Sequence, residues 1–245
     1  MDRVAVFVDA SYLFVEGARA LSGRKLARSD VFLDHGAAIG HLGRFARDIS
    51  GMPLLRIYWY DATANRPTRS QLVLAEQADV KLRLGRVDAG GHQKGVDALM
   101  ASDLVTLARN RAMTDCVLLS GDDDLRLAVS EIQELGVRVH LVGICPTERT
   151  QSRLLRHEAD SSSEWGAEVL RVFMRCRPRS GGRIEATRMA IGVEASLLMG
   201  RQRDSGPRPG ASLVHAMARR VARQVLISEF VARTGRVPGP GFPVR

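Results

Sequence analysis

Short apolar runs recur along the chain at Val4–Val8 (VAVFV), Leu54–Tyr60 (LLRIYWY), Val80–Val87 (VKLRLGRV), Cys116–Ser120 (CVLLS) and Val137–Ile144 (VRVHLVGI). Most are continuous rather than alternating, which is the pattern of strands covered on both faces. Helix-period segments lie between them, near Tyr12–Leu21, Ala37–Ile49, Thr68–Gln77, Val96–Ala112 and Asp124–Leu135. The last sets Leu127, Ala128, Ile132 and Leu135 at helical spacing and stops at Gly136. Such alternation predicts an α/β domain with a parallel sheet and helices on both sides. Within Leu54–Tyr60, Trp59 falls on the face opposite Tyr58 and Tyr60, and core packing accounts for the three aromatics better than base stacking does.

The segment RPRSGG, from Arg177 to Gly182, marks the end of this domain, giving residues 1–177 as the α/β unit and 178–245 as an extension. In the extension, Met189, Ala190, Val193, Leu197 and Leu198 form one apolar stripe, and Val214, Met217, Ala218, Val221 and Val225 a second. Two amphipathic helices joined by a polar linker are expected.

With 245 residues, 45% of them hydrophobic, the chain can bury a sizeable core. No apolar run approaches the ~18 residues that a membrane span needs, and the opening MDRVAVFVDA reads as neither a leader nor an anchor. Three scattered cysteines, Cys116, Cys145 and Cys176, suggest neither a disulfide framework nor a zinc site, so a reducing cytoplasm is the expected compartment. Charge is distributed unevenly. Residues 178–245 carry 12 Arg, no Lys and 4 acids, for a net of +8, whereas residues 1–177 have 24 bases against 23 acids. An Arg-only appendage favours an anionic partner, nucleic acid before membrane, because Arg grips phosphate with two donors. Arg219, Arg220 and Arg223 cluster opposite the second stripe and are candidate contacts to such a nucleic acid.

The acids carry the chemistry. In a parallel α/β sheet ligands gather at the carboxyl ends of the strands, where Asp9 closes the first run and Asp122 follows the fourth. Asp97 and Asp103 fall in the first two turns of one helix, about 240° apart around its axis, so they do not share a face. The plainer reading of Asp122, Asp123 and Asp124 is a helix start whose acids complement the dipole. Asp9 is harder to explain that way, since an acid ending a run of Val, Ala and Phe is costly to bury unless it is paired or bound to metal. Hard oxygen donors suit Mg²⁺ or Mn²⁺ rather than zinc, and a divalent cation would relieve the repulsion within the triplet. No Walker-type run or GxGxxG occurs, so the usual phosphate-cradling devices are absent from the sequence.

Four segments in order, VAVFVDASYLF, KGVDALMASDL, LLSGDDDLRLAV and GVRVHLVGI, with the trailing SRLLRHEAD, resemble the NYN domain family, a branch of the PIN-like metal-dependent ribonucleases. The resemblance covers about residues 2–175. It implies a PIN-like three-layer α/β/α fold with a mainly parallel sheet, and hydrolysis of RNA phosphodiesters at a carboxylate-held Mg²⁺ or Mn²⁺ centre. By resemblance, Asp9, Asp97, Asp122 and Asp124 are the catalytic, metal-holding acids, Asp103 is a further ligand candidate, and Asp123 stands at the family's variable position. Lys94 and Ser120 are candidate contacts to RNA. Tyr12 stands where many members carry Asn, and Leu125 where Phe is frequent.

A second function class fits the same residues, namely a non-catalytic RNA-binding or regulatory protein in which Tyr12 has removed activity. A haloacid-dehalogenase-like phosphatase fits less well, because DASYL lacks the Asp-x-Asp pair of that chemistry. The partners expected are RNA and no membrane; homo-oligomer formation is left open by the sequence.

Overall fold

The computed structural model describes residues 2–88, 90 and 93–178, with Gln93 described through its backbone. The expected pair of helices in the extension, with Arg219, Arg220 and Arg223, lies outside the described residues.

Strand β1 (Val4–Asp9) runs directly into α1 (Ala10–Ser22). Then come β2 (Val31–Leu33), α2 (His35–Ser50), β3 (Leu54–Thr63), α3 (Arg69–Ala75), β4 (Val80–Val87), the two-residue β5 (Gln93–Lys94) and α4 (Val96–Arg109). Strand β6 (Asp115–Leu119) leads through a 3-10 turn at Asp123–Leu125 into α5 (Arg126–Glu134) and β7 (Arg138–Ile144). The short helices α6 (Thr147–Thr150) and α7 (Arg153–Glu158) precede β8 (Ser161–Trp165), α8 (Ala167–Leu170) and β9 (Met174–Cys176).

The main sheet has the order β5-β4-β3-β1-β6-β7-β8 and is parallel except for β5. β2 and β9 form a separate antiparallel pair. All six residues of β1 are buried, as its unbroken apolar run predicts. Val4, Val6 and Val8 join one core with Trp59 and residues of α1 and α2, while Ala5 and Phe7 join another with Tyr58, Tyr60, α4 and α5. This is the expected three-layer α/β/α arrangement, with Trp59 on one face and the two tyrosines, stacked on Phe7, on the other.

β1 and β6 are neighbours at the point where the strand order reverses. The chain leaving β1 enters the first core through Tyr12, Leu13 and Phe14; the chain leaving β6 enters the second through Leu125, Ala128 and Val129. Their departure to opposite faces opens the crevice in which open α/β sheets place ligands.

Strand β8 escaped the apolar pattern because it is an edge strand whose sequence, SSSEW, buries only Trp165. At the amino-terminal end of β6, the end away from the crevice, the fully buried Asp115 accepts hydrogen bonds from Arg138 Nε (3.1 Å) and Nη2 (2.7 Å) and bonds to His140 Nε2 (2.9 Å). That acid is already paired within the fold.

Candidate functional site

Asp9 is both the last residue of β1 and the N-cap of α1. Its Oδ1 accepts the Tyr12 backbone N–H at 3.1 Å, satisfying one of the donors that a helix start leaves open. Its Oδ2 accepts the Ser120 hydroxyl at 3.3 Å, and the same hydroxyl oxygen accepts the Asp122 N–H at 3.3 Å. Ser120 therefore ties the end of β1 to the turn after β6. Because Ser120 is fully buried and its hydroxyl is engaged within the protein, its geometry is that of an organiser of the acids.

The turn itself is closed by Asp122, whose Oδ1 accepts the Asp124 N–H at 3.1 Å. Asp97 enters from the other side, in the first turn of α4. The acids act on one another electrostatically. Burial pushes the Asp9 carboxyl up to about 6, and the negative charge of Asp97 adds to the rise. Asp97 is raised as well, by burial first and then by Asp122 and Asp124. Asp97 thus lies in the field of all three other acids, which come from two other segments of the chain, the end of β1 and the turn after β6.

Among the described residues no group of three or more His, Cys, Asp or Glu is arranged to hold a metal ion as it stands. The donor chemistry nonetheless fits a hard divalent cation: carboxylate oxygens from β1, α4 and the turn after β6, of which Asp9 and Asp97 are destabilised in their charged forms by burial and by neighbouring acids.

Residues 3–165 match the model of the NYN domain. The chain belongs to the NYN domain family. Members of that family are usually ribonucleases. Over 107 residues the chain is 50% identical to the uncharacterized protein y4oD of Sinorhizobium fredii, a stretch covering 44% of this chain and 50% of that protein. The match therefore spans about half the length of that relative. No helix among the described residues is long and apolar enough to cross a membrane.

Within this NYN domain, Asp103 stands apart from the other acids. Arg83 grips both of its oxygens, Nε to Oδ2 and Nη2 to Oδ1 at 2.8 Å each, and the Tyr60 hydroxyl donates to Oδ2 at 2.9 Å. Burial and the charge of Asp103 both raise the Tyr60 pKa, keeping the phenol a donor. The six-residue offset from Asp97 has turned Asp103 toward β3 and β4, where it fastens α4 to the sheet. Asp103→Asn is expected to lower stability by about 1–3 kcal/mol, as for a charged hydrogen-bond partner, measured by urea unfolding. Any RNA cleavage at saturating substrate is expected to persist in that variant.

Asp123 accepts a hydrogen bond from Ser152 Oγ, the N-cap of α7, so its carboxylate serves that junction. Tyr12 is buried, and its hydroxyl accepts the Ile144 N–H at 2.9 Å and bonds Thr150 Oγ1 at 3.1 Å. It thereby pins α1 to the end of β7 and offers no amide to a cation. Gly121, between Ser120 and Asp122, has no room for a side chain, because a Cβ there would meet the Thr150 carbonyl oxygen and Tyr12 Cε2. Lys94 is exposed on β5, three residues before Asp97. Leu125, at the position where Phe is frequent, is buried in the second core. The roles of Ser120, Tyr12 and Gly121 in joining separate segments escaped the sequence because every contact involved is long-range. The only local signal was the Ser-Gly pair before the acids.

Proposed function

We propose that this NYN domain is a metal-dependent ribonuclease whose centre is formed by Asp9, Asp97, Asp122 and Asp124 with Mg²⁺ or Mn²⁺. The observation that carries the reading is the convergence of these acids on Asp97 at the switch point of the sheet. Burial and neighbouring acids raise the Asp9 and Asp97 carboxyls, and a divalent cation removes that cost. When bound, the ion supplies Lewis acidity toward water and the phosphodiester.

The chain's own residues hold and orient the donors. Ser120 fixes the spacing of Asp9 and Asp122, and the α1 N-terminus holds Asp9 through the Tyr12 N–H. Asp124 contributes from the rim of the turn, and Lys94 receives substrate phosphate.

The test is cleavage of single-stranded and structured RNA by the purified full chain in Mn²⁺, with chelator and Asp122→Asn as controls. Cleavage that disappears in both controls supports the reading. RNA binding without cleavage under any divalent ion would instead make the protein a non-catalytic RNA binder, the alternative that Tyr12 favours by lacking an amide.

Within the triplet the two exposed acids are expected to separate. Asp124→Ala loses most of the activity, since Asp124 shares the field of Asp97. Asp123→Ala keeps most of it, since that carboxylate is engaged with Ser152. Initial rates at saturating RNA check this, and equal losses would contradict the assignment.

A further inference from the structure

The hairpin of β4 and β5 places Arg86 directly opposite Lys94 in an antiparallel pair. Directly opposed residues project to the same face, and like charges in that position are destabilising. Both side chains are exposed, and neither forms an ion pair with a described residue. Their neighbour Arg83, one face over, is by contrast engaged with Asp103. On the other side of Arg86, its partner on β3 is Thr63, whose hydroxyl donates to the Arg66 carbonyl and holds that residue beside the strand end. Arg66 is exposed and likewise has no ion-pair partner among the described residues.

Arg86 and Lys94 therefore stand side by side on β4 and β5, with Arg66 following the adjacent end of β3, and the three make a basic row in this order. Lys94 stands three residues before Asp97 in the chain, and the hairpin is packed closely against the start of α4. A Cβ on Gly85 would lie 2.7 Å from Val96 Cγ2 and 2.8 Å from the Lys94 carbonyl oxygen, so β4 leaves no room for a side chain beneath β5 and the start of α4.

We infer that this row is the track for the phosphate backbone of a single-stranded RNA, with the Arg86–Lys94 pair gripping phosphates beside the one to be cleaved. The inference rests on the ribonuclease reading and adds Arg86 and Arg66 to it. An anion between Arg86 and Lys94 converts a repulsive cross-strand pair into a favourable one.

The experiment measures binding of a fluorescein-labelled oligouridylate to the full chain by anisotropy, in chelator, over a range of salt concentrations. Each phosphate neutralised on a single strand contributes ~0.7 to the slope of log affinity against log salt. The Arg86→Gln/Lys94→Gln double variant is expected to lower the slope by about 1.4 and weaken binding roughly 10- to 30-fold at 0.1 M salt. Arg44→Gln, on α2, serves as a control for net charge and leaves the slope near that of the wild type. Because the double change relieves repulsion, its melting temperature stays equal or rises; a marked fall would make the pair structural and overturn the inference. An unchanged slope, with wild-type binding and Mn²⁺-dependent cleavage intact, overturns the track alone. A wild-type chain that neither binds nor cleaves RNA overturns the ribonuclease reading and the track with it.

Discussion

Asp9→Asn is expected to abolish RNA cleavage while making the metal-free protein more stable at neutral pH. The carboxyl is only 8% exposed and titrates at about 6 rather than at its ordinary 3.8, chiefly because of burial. Between those two values the folded state holds a proton that the unfolded state has released. Stability of the metal-free protein therefore rises as pH falls from about 6 toward 4, and the penalty is fully present above 6. A shift of this size corresponds to an upper bound of about 3 kcal/mol at pH 7, which Asn removes while still capping α1 through its amide oxygen. Thermal unfolding in chelator at pH 4.5 and 7.5 checks this, with the wild-type gain on acidification absent from the variant. The activity loss is expected to exceed the ~10–100-fold typical of groups that merely support a metal ligand. A variant that unfolds at much lower temperature would make Asp9 a structural acid.

Gly121→Ala is the second large effect. The added methyl group would sit 2.6 Å from Tyr12 Cε2 and against the Thr150 carbonyl oxygen. Neither neighbour yields easily. The Tyr12 ring is held by its hydroxyl at Ile144 and Thr150, and Thr150 in turn donates to the Ile144 carbonyl at 2.6 Å. Overpacking of this kind costs about 1–3 kcal/mol. The displaced turn carries Ser120 on one side and Asp122 on the other, so cleavage is expected to fall with stability. Urea unfolding and initial rates measure the two together; wild-type values for both would mean that the turn accommodates the methyl group.

Much of this architecture was legible because buried parallel strands write themselves as unbroken apolar runs. β1, β3, β4, β6 and β7 all appear where Val4–Val8, Leu54–Tyr60, Val80–Val87, Cys116–Ser120 and Val137–Ile144 placed them, within a few residues. The start of β6 was hidden by Asp115, an acid that reads as a turn until Arg138 and His140 are seen to meet it. β8 was hidden by its polarity, since an edge strand buries little. Among the acids, Asp9 and Asp122 were legible as strand-end carboxylates. Arg83 was not recognisable as the partner of Asp103, because 20 residues and the pairing of β3 with β4 separate them. The helical offset did indicate that Asp97 and Asp103 face different neighbours, and they do.

The fastening of α4 bears on which ions the proposed metal centre would accept. Asp103, held by Arg83 and Tyr60, and Val96, pressed against Gly85, leave the start of α4 little room to shift. Asp9 is equally confined by its two hydrogen bonds. In the proposed metal centre, Asp9, Asp97 and Asp122 are thus held in place before an ion arrives, and adjustment to ionic radius falls to the exposed side chain of Asp124.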